Sequence, residues 1–255
     1  MDSIEDLYSS PRRPRKSQAQ TQIGRIQSSI EGLVDLESLE PIEHYRFPPW
    51  QRDTPYKVEI SSLNKDEAAK AHLEQLQLSS SSFALYSDGS YTPNSENKGV
   101  GTGLAILGEN ASLVSCQKKN LGPSQLVYNA ELEGITLAIE EASYLARPGD
   151  NFEVFSDNQA ALLRLKTPSD APGQECQIRA IEAASLIASK GATVRLNWVP
   201  GHKDVPGNEL ADSLAKEGTL EPFPNREETS FAYLGTRLQE VQTQEWLRLL
   251  VPYSQ

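Results

Sequence analysis

The sequence predicts an α/β fold: a mixed five-stranded sheet, three antiparallel strands followed by parallel ones, flanked by helices. Three observations carry that expectation. Apolar runs at 83–87, 100–107 and 111–117, separated by turn sequences, have the pattern of an antiparallel meander. From residue 124 onward helical and strand-like segments alternate, as in a parallel unit with a right-handed crossover helix. Acidic residues recur where such strands end, which is where open α/β sheets place their sites.

The 255 residues suit one domain with appendages. Only 38% of them are hydrophobic and the mean hydropathy is -0.49, so the whole chain is not expected to pack as one unit. No apolar run approaches the roughly 20 residues that span a bilayer, and the opening MDSIEDLYSSPRRPRK lacks the apolar core of a secretory signal. A monomeric intracellular protein, in nucleus or cytoplasm, with no membrane partner is expected. Cys116 and Cys176 lack metal or disulfide spacing and read as reduced packing residues. A net charge of -11 argues against phosphate-backbone binding through Lys and Arg alone. Carboxylates gathered around divalent cations would change that locally.

Residues 1–82 read as a disordered tail, a Pro-rich extension and a short helix. The run PRRPRK at 11–16 is a candidate localisation or nucleic-acid patch, or simply a solvated tail. Pro48, Pro49 and Pro55 preclude a continuous helix. Asn64 is placed to cap a helix of about 12 residues, with Glu67 completing a capping box. Ser79–Ser82 reads as a linker, and the compact domain is expected over 83–220.

The first strand, 83–87, is expected to end at Asp88-Gly89. Gly99, Gly101 and Gly103 do not form a dinucleotide-binding motif, because a strand and a turn follow them instead of a helix. Ser124 is expected to cap a helix closed by Pro148-Gly149. On it Ile135, Ala138, Ala142 and Leu145 share an inward stripe with Glu131. An inward carboxylate needs a partner or a metal. A strand over 151–156 then delivers Asp157, and Asn158–Lys166 opens a helix. A helix over 175–189 and a strand over 192–199 follow, with Trp198 expected in the core. The Pro200–Pro206 loop carries His202, and in the next helix Asn208 and Asp212 share a face. Residues 221–255 form a C-terminal extension with an amphipathic helix from about Thr229 to Leu250.

The acidic motifs YSDGS, NAELEGI and FSDNQAA, followed by WVPGH and GNELAD, make the stretch 83–220 resemble ribonuclease H of type 1. The closest look is to ribonuclease H domains of fungal non-LTR retrotransposon polyproteins. The resemblance implies a ribonuclease H-like fold and a hydrolase that cuts the RNA strand of RNA/DNA hybrids, leaving 3′-hydroxyl and 5′-phosphate ends. It implies that Asp88, Glu131, Asp157 and Asp212 hold two Mg²⁺ ions, for which Mn²⁺ can substitute. His202 matches a mobile-loop histidine that assists proton transfer or product release, and Glu209 a position near the second metal. Leu126, Val127 and Tyr128 stand where relatives often read the 2′-hydroxyl with Asn or Gln, so Asn129, Asn158 and Ser90 become the candidate substrate contacts. No basic protrusion follows Asp157, and weak hybrid binding is expected. A reverse transcriptase is an implied partner. The competing expectations are an inactive, domesticated retroelement fragment acting as a binding module, and another nuclease of the same fold.

Overall fold

A computed structural model describes residue 30 and residues 38–48, 50, 53–78, 83–92, 99–223 and 228–250. The basic run at 11–16 and the linker at 79–82 lie outside the described residues. Two compact units are present, Ser38–Tyr233 and a second made of Met1–Glu37 with Leu234–Gln255.

In the larger unit the strands are β1 (Lys57–Glu59), β2 (Phe83–Tyr91), β3 (Val100–Leu107), β4 (Leu113–Asn120), β5 (Asn151–Ser156) and β6 (Thr193–Trp198). They form one sheet in the order β1-β6-β5-β2-β3-β4. Strands β2, β3 and β4 pair antiparallel, whereas β5 is parallel to β2 and to β6. This is the mixed sheet that the sequence predicts, with one strand more. The sixth is β1, three residues parallel to β6 in the register Lys57↔Arg195. Its short run KVE, next to Pro55, has too few residues to show an alternating pattern.

The helices are α1 (Lys65–Leu78), α2 (Val127–Leu145), α3 (Gln159–Lys166), α4 (Gln174–Ser189), α5 (Pro206–Gly218) and α6 (Phe231–Leu250). Alternation along the strands divides the interior in two. Leu85, Leu104, Ile106, Phe152 and Val154 pack with Ile135, Ile139, Leu162 and Ile187 from α2, α3 and α4. Tyr86 and Phe155 point to the other side, into a cluster with Ala69, Val199, Val205 and Ala211. There α5 lies directly on β3, because Gly101 and Gly103 have no side chains. A Cβ at Gly103 would overlap the backbone of Ala211 and Ala215. The glycines that could suggest a phosphate loop are a bed for a helix.

Helix α1 begins as expected, with Asn64 Oδ1 accepting from Glu67 N at 3.0 Å. It also packs on the sheet. Ala68 and Ala69 are buried, and the buried His72 hydrogen-bonds Tyr86 Oη at 2.9 Å and meets Phe155 edge-on at 4.4 Å. Two sequence expectations about element ends fail. Helix α2 starts at Val127 and is not capped by Ser124; Asn129 Oδ1 instead accepts from Leu126 N at 3.2 Å. Strand β2 does not end before Asp88 but runs to Tyr91, because antiparallel pairing with β3 continues after the parallel pairing with β5 stops at Tyr86.

The two ends of this unit meet each other. Leu39 bridges Thr229, Glu40 N donates to Thr229 O at 3.0 Å, and the Glu40 carboxylate accepts from Gly173 N at 2.9 Å and Phe231 N at 2.8 Å. In the smaller unit, the described part of α6 exposes Trp246 and Leu247. Among the described residues no helix is long and apolar enough to cross a membrane.

Two stability measurements follow. Gly103→Ala should lower the unfolding free energy by about 1–3 kcal/mol through overpacking, read from the midpoint of urea denaturation. Burial lowers the His72 pKa to about 4, so the unfolded chain binds the proton more tightly. The contribution of neutral His72 is complete above about pH 6.5 and is lost as pH falls toward 4, an effect of about 3 kcal/mol. His72→Gln should remove that part of the difference between denaturation curves at pH 7 and pH 4.

Candidate metal centre

Three carboxylates meet beside the central strands β2 and β5 of the sheet. Oxygens of Asp88 on β2, Glu131 on α2 and Asp157 at the end of β5 lie within 4.8 Å of one another. Asp88 and Glu131 are buried and Asp157 is half-buried. Two of them, Asp88 and Asp157, are held from the backbone. Thr102 Oγ1 donates to Asp88 O at 3.1 Å, and Trp198 Nε1 donates to Asp157 O at 3.0 Å. Trp198 therefore packs against the core, as expected, and fixes the Asp157 main chain as well. Gly201 supplies room, since a Cβ there would overlap the Asp157 carboxylate.

The electrostatics separate this cluster from ordinary buried acids. Burial, then the charge of Asp157, raises the Asp88 pKa; burial, then Asp88 and Asp157, raises that of Glu131. Burial also raises Asp157, against the opposing charges of His202 and Lys65. Glu131 Oε2 is buried without a hydrogen-bond partner. Two residues along α2, Glu133 has the opposite fate. Burial pushes it up, but Arg179 and Lys119, each at 2.8 Å, outweigh burial and hold its pKa down. The same helix thus buries one acid against two basic partners and another whose neighbours are acidic apart from Asn158. An all-oxygen set of this kind fits hard divalent cations.

The other candidates are placed as follows. Asp212 on α5 is outside the trio, with Oδ2 paired to Lys216 Nζ at 2.6 Å, though its charge bears on Asp88 and Asp157. His202 is exposed, in a left-handed backbone conformation with φ 56, and lines a cavity of about 370 Å³ together with Asp157, Asn158, Gln159, Trp198, Gly201 and Lys65. Asn158 caps α3, its Oδ1 accepting from Ala161 N at 3.0 Å, and its side chain also hydrogen-bonds Glu131. Asn129 faces a separate pocket with Glu133 and Arg179. Ser90 is half-buried opposite Gly101, and Glu209 is exposed on the first turn of α5. The sequence reading missed Lys65 at this cavity. Its only signal is its place beside the Asn64 cap, 92 positions before Asp157 and outside the acidic motifs. It also left Asn208 unassigned, although Oδ1 of that buried side chain has no partner.

A mixed sheet on whose central strands three acidic side chains converge defines an α/β protein with a candidate site for divalent cations. Residues 80–220 match the family model described as RNase H, and the chain belongs to that family. It is similar to the Ribonuclease H of Polaromonas naphthalenivorans (strain CJ2), 28% identical over 166 residues that cover 60% of this chain and 94% of the relative. Among solved structures it is similar to RNase H1 of the halophilic archaeon Halobacterium salinarum NRC-1, with 21% identity, coverage of 53% and 96%, and a TM-score of 0.41. It is also similar to the PFV RNase H domain, with 17% identity, coverage of 56% and 98%, and a TM-score of 0.45.

Burial beside other acids has a measurable sign. Glu131→Gln should stabilise the metal-free protein by about 1–3 kcal/mol near pH 7 and reduce the rise in melting temperature that Mg²⁺ or Mn²⁺ gives the wild type. Both effects can be read by differential scanning fluorimetry with and without EDTA.

Proposed function

We propose that the chain is a metal-dependent endoribonuclease that hydrolyses the RNA strand of RNA/DNA hybrids and leaves 3′-hydroxyl and 5′-phosphate ends. The observation that carries the reading is the convergence of Asp88, Glu131 and Asp157, with oxygens within 4.8 Å of one another, in a chain of the RNase H family. Asp88, Glu131 and Asp157 would hold two Mg²⁺ ions, or Mn²⁺ in their place, with Asp212 joining from α5 once released from Lys216. Such ions supply positive charge that acidifies an attacking water and neutralises the leaving oxygen.

The chain's own residues do the rest. Trp198 and Thr102 keep the carboxylates of Asp157 and Asp88 from recoiling under mutual repulsion, by anchoring their main-chain carbonyls. Asn158 steadies Glu131 by hydrogen bonding. His202, which lines the same cavity as Asp157, would give a proton to the departing 3′ oxygen as water adds to phosphorus and the P–O3′ bond breaks. The amide groups of Asn129 and Asn158, the Ser90 hydroxyl and Glu209 are assigned to the substrate side.

We assign the chemistry to residues 83–220, with 1–82 and 221–255 as extensions. The motif resemblance supports a retroelement-derived protein working beside a reverse transcriptase inside the cell.

A labelled RNA/DNA hybrid incubated with protein and Mg²⁺ tests the reading, with single-stranded RNA and duplex DNA as controls. The wild type should cut the RNA of the hybrid, and Asp157→Asn should lose at least about 100-fold in rate. Equal cleavage by the variant overturns the site. Binding of the hybrid with cleavage by neither protein would establish the binding-module alternative instead.

A further inference from the structure

We propose that Lys65, on helix α1, grips a backbone phosphate of the nucleic-acid substrate at the Asp157–His202 cleft. A segment outside the family-matched residues 80–220 then forms part of the substrate site. The inference rests on the nucleic-acid reading above and adds to it a residue that the acidic motifs do not contain.

The reasoning starts from charge. A phosphate approaching this site meets Asp88, Glu131, Asp157 and Asp212 in a chain of net charge -11. Ions held by the carboxylates address the scissile phosphate, but its neighbours along the strand need cations of their own. Lysines near the cleft are already engaged: Lys216 with Asp212 at 2.6 Å, and Lys203 with Asp66 at 2.8 Å. Lys65 is exposed and makes no ion pair among the described residues. Among the described residues that line the cavity of about 370 Å³ beside Asp157, it is the one basic side chain apart from His202. Its charge already acts on Asp157.

The position of Lys65 is fixed by packing that has little to do with the lysine itself. Ala68, Ala69 and His72 seat α1 on Tyr86 and Phe155, each two residues before a site carboxylate, so helix and carboxylates share the same two strands. One residue along, the Asp66–Lys203 pair links α1 to the loop that carries His202. An exposed pair of this kind adds little stability, but it joins the residue after Lys65 to the residue after His202. Lys65 and His202 therefore line one cavity together with Asp157.

The test uses the full chain. Hybrid cleavage is measured for wild type, Lys65→Ala, Lys65→Arg and Lys65→Glu over a range of KCl concentrations, with melting temperatures as a folding control. Lys65→Ala should raise KM about 5- to 10-fold with kcat nearly unchanged, and should reduce the slope of log affinity against log salt by about one contact. Lys65→Arg should restore both, and Lys65→Glu should exceed Ala in effect. If the wild type cuts hybrid while Lys65→Ala keeps its KM and salt slope, the inference fails and the function stands. If the wild type does not cut, fluorescence anisotropy with the same labelled hybrid decides. A wild-type salt slope equal to that of Lys65→Ala, or no binding by either, overturns the phosphate contact, and a shallower slope for the variant supports it.

Discussion

The structure is organised around a repulsion. Asp88, Glu131 and Asp157 converge from two strands and a helix, and nothing basic stands between them. Such a cluster is unfavourable unless the surrounding fold holds it. Here the holding is done largely at the main chain, through Thr102 and Trp198, and by the missing side chain of Gly201, while Asp88 Oδ1 also accepts from Gly89 N at 2.8 Å. Nearby Glu133 shows what the same fold does when it has no use for a free acid: it brings in Arg179 and Lys119 and closes the account.

Much of this was legible from the sequence. A strand pattern followed by an acidic residue, twice, and a Glu on an otherwise apolar helix stripe mark the convergence, because burial of a carboxylate violates the pattern that makes the helix readable. Element ends were less legible. Asp88 lies inside β2, since the strand has partners of opposite direction on its two sides that stop at different residues, and no local pattern encodes that offset. Asn129 and Asn158 read as candidate substrate contacts, and their amide oxygens also serve helix starts, a use that depends on where each helix begins. Strand β1 was too short to read, and the packing of α1 was hidden because it rests on alanines and a histidine whose partners, Tyr86 and Phe155, are remote in sequence.

The family-matched stretch accounts for the carboxylates and the His202 loop, while the preceding residues add an edge strand and a bracing helix. The sheet edge next to β6 is thereby covered by β1, which removes one exposed row of backbone donors and acceptors. Evolutionary elaboration at an edge is inexpensive in this architecture, because it leaves the register of the central strands untouched.

The pairing of Leu39 with Thr229, reinforced by the Glu40 carboxylate, brings the polypeptide into the larger unit and out of it at one spot. A unit stitched shut at its own entrance behaves as a cassette. It can be lodged within a loop of a host protein, or have its natural ends joined and new ones opened elsewhere, with little change in the distance that the connecting chain must span.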